Sequence, residues 1–281
     1  MKKSLSWLLA IILAVAFPAS LRAEEPPPGQ IGVAPSMFEL PIGSKPVNES
    51  IRLFNLKKKA TKVRVEVYNW TLDEKNEVKI LPSESQSLDK WMLINPLRFT
   101  VEPGQSQVVR FSIRPTVKPT PGEHRAMIYF IEEPSDTPAD STKALEILFK
   151  LGVGVYGHAD PVKHGGTLNG LSCDLPASTI RADITNSGNV NTRLKGNYSI
   201  WKKDAFPGLK DASKYESLQK DEKSPAGLVL TGQLNQTPVL PGNRRSIATQ
   251  FPMPKAPGSY ILAVTGSIGS QPVEKTFALT R

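Results

Sequence analysis

Apolar and polar residues alternate along most of this chain, and they almost nowhere recur at the three-to-four spacing of a helix. The longest run is Ala144 to Gly157, ALEILFKLGVGVYG. Successive strand side chains point to opposite sides, so Leu145, Ile147, Phe149, Leu151, Val153 and Val155 share one face. Glu146, Leu148, Lys150, Gly152, Gly154 and Tyr156 occupy the other. Ordinary strands run about five or six residues. A strand this long either extends beyond its own sheet or offers an apolar edge to a partner. The same alternation also fits a half-buried strand whose apolar row lies wholly in its own core. Periodicity leaves both readings open.

Shorter strands surround it. Ile31 to Leu40 reads as a strand interrupted near Pro35, and a proline there points to an edge or to a switch between sheets. Ser50–Leu56, Lys62–Trp70, Glu77–Leu81, Leu97–Val101, Gln107–Ile113 and Arg125–Ile131 follow, separated by turn residues such as Glu102-Pro103-Gly104-Gln105. The lysines after Asn55 read as a solvated turn. Past Gly157 a polar link, HADPVKHGG, sets the boundary between two halves. Strands resume at Thr167–Leu171, Ser178–Ile184, Asn191–Trp201, Gly227–Thr231, Arg245–Phe251, Ser259–Thr265 and Val273–Leu279. Lys202–Ser224 is charged and weakly patterned, which suits an insertion loop or a short surface helix. Short strands at regular spacing in both halves predict an all-β chain of two immunoglobulin-like β-sandwich domains, 24–157 and 158–281.

Composition adds location. Lys2 and Lys3 precede an apolar run from Trp7 to Phe17, and the segment ends at Ala23. This is the layout of a signal peptide, residues 1–23, cleaved near Ala23. No later stretch approaches the roughly 20 apolar residues of a membrane helix, so no integral membrane segment is expected after its removal. Removal takes away three basic residues and no acid, leaving 32 basic against 26 acidic and a net charge of +6. The charge is spread along the chain without a basic helix or an aromatic-basic motif, which gives no reason to expect nucleic acid. Cys173 is the single cysteine, so no disulfide forms within the chain.

Catalytic patterns are missing. Gly152, Gly154 and Gly157 spell G-x-G-x-x-G, but they end a strand instead of opening a helix. Their structural reading is close approach of another backbone. His158, Asp160 and His164 lie close in sequence yet lack the four ligands and spacing of a structural zinc site. His124 has no neighbouring nucleophile or acid in sequence. No nucleophile elbow, H-E-x-x-H, P-loop or EF-hand is present. The expectation is a non-enzyme with no metal and no cofactor.

Three motifs carry a resemblance: Ile94-Asn95-Pro96 leading to Phe99, then Glu102 through Arg110, then Pro121-Gly122-Glu123-His124-Arg125 running to Phe130. In that order, with a long strand after them, they resemble the first domain of the PapD-like periplasmic pilus-assembly chaperones. The resemblance covers roughly residues 31 to 157. It implies a periplasmic location, pilin-like surface-fibre subunits as partners, and an outer-membrane usher beside them. Such chaperones lend alternating apolar residues of the first domain's last strand to a subunit that lacks one strand. Here those residues would be Leu145, Ile147, Phe149 and Leu151. The family also anchors the subunit's terminal carboxylate with a basic pair, and the matching positions hold Met37 and Gly154, neither of which can do so. Lys150 is the candidate substitute anchor. The alternative is a structural or adhesive envelope protein built from the same domains, without chaperone activity.

Overall fold

The computed structural model describes residues 31–134, 148–215 and 224–281. Leu145 and Ile147 therefore lie outside the described residues, as does the signal segment. The first half contains β1 (Ile31–Ala34), β2 (Met37–Pro41), β3 (Val47–Asn55), β4 (Thr61–Leu72), β5 (Val78–Leu81), β6 (Met92–Asn95), β7 (Arg98–Val101), β8 (Ser106–Ile113), β9 (Gly122–Glu132) and β10 (Lys150–Ala159). The second contains β11 (Gly166–Asp174), β12 (Thr179–Asn186), β13 (Leu194–Lys202), the short helix α1 (Leu209–Ala212), β14 (Leu228–Gln233), β15 (Arg244–Gln250), β16 (Ser259–Ile268) and β17 (Gln271–Thr280).

The chain forms two immunoglobulin-like sandwiches. In the first, a sheet ordered β1-β3-β8-β6 faces one ordered β2-β10-β9-β4-β5, with β7 also paired to β4. In the second, β11-β12-β15 faces β14-β13-β16-β17. Each sandwich closes on the apolar sides of its alternating strands. Ile51, Leu53, Val109, Phe111, Ile128, Phe130, Val153 and Val155 meet in the first core, and Ile180, Ile184, Ile200, Leu262 and Val264 in the second.

Three local features bear on function. Pro35 separates β1 from β2, which lie in different sheets, so the interruption read in the sequence is a switch between sheets. The charged segment after Trp201 forms α1 flanked by single 3-10 turns. Leu209 and Ala212 of α1 pack with Phe206 and Tyr215 on Trp201, so the stretch is held down by its own apolar residues. The lysine turn is not wholly solvated. Lys57 Nζ binds the Glu132 carboxylate at 2.5 and 2.7 Å, with side-chain exposures of 12% and 3%. A carboxylate buried that deeply requires a charged partner.

The sandwiches meet over a small apolar patch in which Leu240 packs with Trp70, Leu72, Met127 and Tyr156. Beside it Gly122 adopts a φ of 116°, and a Cβ there would fall 2.8 Å from the Asn189 carbonyl oxygen. Glycine is what permits that approach, and it lets Glu123 N–H donate to the Asn189 carbonyl at 2.9 Å.

Candidate functional site

Strand β10 is covered unequally on its two sides. β9 pairs with it along its whole length, from Lys150↔Ile131 to Ala159↔Gly122. On the other side β2 covers only Gly154–His158, beginning at Met37↔Gly154, and this pairing is parallel. Among the described residues no strand lies against Lys150–Val153 on that side.

Hydrogen-bond alternation identifies the open groups. Glu132 N–H donates to the Phe149 carbonyl at 2.9 Å, so Phe149 faces β9, and Leu151 and Val153 do so in phase with it. Lys150 and Gly152 therefore turn their N–H and C=O groups toward the uncovered side. His158 fits the same phase, because its carbonyl accepts from Ile42 on the β2 side at 2.9 Å. An uncovered edge of this kind is a template for one more strand.

The apolar row changes character along the strand. Val153 and Val155 are fully buried in their own core, and Leu151 is half-buried against it. Phe149 is half-buried under Lys57, whose Nζ stands 4.8 Å from the ring centroid. Its N–H donates to Glu132 Oε2 at 3.2 Å, so the Lys57–Glu132 pair fixes the point where β10 begins. The half-buried-strand reading thus holds for the C-terminal end of the row, where Val153 and Val155 lie in the molecule's own core; Phe149 is not part of that core.

The opposite, outer face of β10 carries Gly152 and Gly154, whereas Gly157 faces Ile42 and Leu88 of the core. A Cβ at Gly152 would lie 3.0 Å from Met127 Sδ and 3.1 Å from Tyr129 Cε1, and one at Gly154 would lie 3.3 Å from Tyr156 Cε2. The close approach read from these glycines is made by side chains, not by another backbone. Lys150 is exposed and sets its Nζ 4.1 Å over the Tyr129 ring. Met37 is exposed, in register with Gly154.

Where β10 ends, the two sandwiches are clamped. Glu123 is a fully buried carboxylate. It accepts Arg125 Nη1 at 2.9 Å, Asn191 N at 2.7 Å and Asn191 Nδ2 at 2.6 Å, and His158 Nε2 stands 3.6 Å away. Burial raises its pKa. The His158 ring, the Arg125 charge and the Asn191 donors outweigh that, and the carboxyl titrates below its ordinary value. His158 is thus part of the junction and not a surface residue. Periodicity missed this cluster, although Glu123 and Arg125 lie inside a motif that carried the resemblance; Asn191 gives no sequence signal.

The remaining candidates do not converge. Cys173 is half-buried on β11, and burial followed by the Asp174 charge pushes its thiol up, away from the reactive thiolate. Among the described residues no three His, Cys, Asp or Glu side chains are grouped to hold a metal. No described helix is long and apolar enough to cross a membrane.

The arrangement defines a class by geometry: paired immunoglobulin-like sandwiches in which, among the described residues, the last strand of the first has an edge only partly covered. No protein-family model matches the chain, and no curated protein does. Solved structures similar to it include a chaperone–tip adhesin complex of CFA/I fimbriae biogenesis, at 14% identity over 90% of this chain and 98% of that one, TM-score 0.45. The class 5 fimbriae chaperone CfaA is similar at 13% identity over 90% and 99%, TM-score 0.43. So is a complex of the Salmonella enterica SafA pilin with the SafB chaperone, at 13% over 90% and 96%, TM-score 0.42.

Proposed function

We propose that this protein is a non-enzymatic periplasmic chaperone that binds strand-deficient subunits of a surface fibre by adding its own β10 edge to them. The observation that carries the reading is the side of Lys150–Val153 that is uncovered among the described residues, next to Phe149, which is half-buried and not part of the core. Main-chain groups of Lys150 and Gly152 would pair with the subunit, and Leu145, Ile147, Phe149 and Leu151 would fill its groove. Burial of that row supplies the driving force at roughly 25 cal/mol per Å² of apolar surface, without a nucleotide. The motif resemblance supports the same reading, with domains at 24–157 and 158–281, a signal segment removed near Ala23, pilin-like partners, and an usher as the outer-membrane acceptor.

The test is co-purification from the periplasm with the subunits encoded beside it. Wild-type protein should carry subunit. A variant with Leu145, Ile147 and Phe149 changed to Asp should lose it while keeping its own fold, because these positions precede the buried Val153. Undiminished recovery by a folded variant refutes strand addition. A second reading, an adhesive or spacer protein of the envelope, is favoured by the uncharged Met37 and Gly154. It predicts that the protein stays with the cell surface on fractionation and carries no subunit.

A further inference from the structure

Strand β10 begins where three elements meet. The turn between β3 and β4 is built on Asn55, which is fully buried. Its Nδ2 donates to the Lys59 and Val101 carbonyls at 2.8 Å each, and its Oδ1 accepts the Lys57 N–H at 3.0 Å. This side-chain turn fixes the main chain of Lys57, whose side chain crosses to Glu132 at the end of β9. The buried Glu132 carboxylate takes Lys57 Nζ on both oxygens, and Oε2 also takes the Phe149 N–H at 3.2 Å. The same Nζ covers the Phe149 ring.

The carboxylate here replaces a backbone acceptor. Opposed residues of a hydrogen-bonded antiparallel pair exchange two N–H···O=C bonds. Glu132 and Phe149 make one of them, from the Glu132 N–H to the Phe149 carbonyl, and the Phe149 N–H goes to the side chain instead. The paired register accordingly starts one residue later, at Lys150↔Ile131, and Leu148 is exposed outside any strand. Lys150–Val153, uncovered on its other side among the described residues, is thus strung between two fixed points: Phe149 on Glu132, and Gly154 on β2. Main chain without such fastening frays at a strand end. A frayed edge must be ordered again by every strand that docks on it.

We infer that Lys57 and Glu132 are positioning residues for strand addition. They end the internal ladder at Phe149 and hold the main chain there, so that Lys150 and Gly152 present their N–H and C=O groups to an incoming strand in one register. The inference rests on the strand-addition reading. Both residues act through Phe149. Lys57 supplies the countercharge that a buried carboxylate needs, and a charged acceptor makes the stronger bond to the Phe149 N–H.

The test uses the full mature chain and a fluorescent peptide of about ten residues with alternating apolar and polar positions. Anisotropy reads its affinity, and amide exchange followed by NMR reads the main chain. On wild type the peptide should bind and slow exchange at Lys150 and Gly152, whose N–H groups it covers. Three variants separate positioning from folding. Lys57→Arg keeps the ion pair and the acceptor and should behave as wild type. Glu132→Asp keeps the charge but draws it back by one methylene, so exchange at Phe149 should quicken and affinity fall. Lys57→Met combined with Glu132→Met replaces the buried pair by apolar side chains of similar length, a change that folding tolerates. Its melting midpoint should stay near that of wild type, while exchange at Phe149 quickens and peptide affinity drops, each about tenfold. Across the set, affinity should follow exchange at Phe149 and not the melting midpoint. Equal affinity in all variants, or affinity that tracks the midpoint alone, overturns the positioning role and leaves strand addition standing. A peptide that does not bind wild type, or binds without slowing Lys150 and Gly152, overturns strand addition and the inference with it.

Discussion

Glu123→Gln probes the clamp between the sandwiches, and its cost follows from the geometry. The carboxylate serves two sides at once: Oε1 takes Arg125 Nη1, and Oε2 takes both Asn191 donors. Glutamine offers one acceptor oxygen. If it keeps the Asn191 bonds, its NH₂ group faces the Arg125 N–H across 2.9 Å, donor against donor. Arg125 then stays largely buried, at 20% exposure, with little beyond the Trp70 face near it. Breaking a buried ion pair on one side costs about 3–5 kcal/mol, and partial solvation of Arg125 puts this case at about 3. For a chain of this size that lowers the melting midpoint by about 6–12 °C. Scanning calorimetry at neutral pH measures it. Acid supplies a second check. The folded carboxyl titrates below its ordinary 4.5, so its contribution is fully present above that value and fades as pH falls through the lower folded one. The gap between wild type and Glu123→Gln should therefore narrow in that acid range. Equal midpoints at neutral pH, or a gap that stays constant into acid, refute the reasoning.

Three further outcomes follow from other contacts. Lys57→Ala strands the Glu132 carboxylate, which is 3% exposed, and should cost about 3 kcal/mol in urea unfolding; a loss below about 0.5, the level of an ordinary surface change, would show that the pair is not needed. Leu53→Ala empties a fully buried site between the sheets and should cost about 2–5 kcal/mol in the same assay. Gly154→Lys should displace the Tyr156 ring, which packs edge-on against Trp70 at 5.7 Å, and should alter tryptophan fluorescence at a cost of about 1–3 kcal/mol; an unchanged spectrum contradicts the packing described.

The strands were legible because each sandwich buries one face of each sheet, which writes a period of two into Val63-Arg64-Val65 or Val109-Arg110-Phe111. The sheet switch was legible because proline lacks the N–H that a continuous ladder would need at position 35. The short helix after Gly208 was not predicted in place, since four residues are too few to show a helical period. The junction was illegible for a different reason. Glu123 with Asn191, and the Tyr156 ring with the Arg193 guanidinium 5.1 Å over it, are joined by tertiary placement alone, and a single sequence carries no signal for pairs so far apart.

The candidate site combines both kinds of information. Alternation places Phe149, Leu151, Val153 and Val155 on one face, but it says nothing about which of them the molecule keeps for itself. That division is set by the neighbours of β10. Where β2 runs alongside, from Gly154 onward, the strand is paired on both sides and its inward residues lie in the core. Before Gly154, among the described residues, the strand has β9 alone, and Leu151 and Phe149 become progressively less enclosed by that core. The starting point of β2 is fixed in turn by Pro35, which sends the preceding residues to the other sheet. One proline near the start of the described chain thus sets how much of a strand more than a hundred residues later is paired with β2.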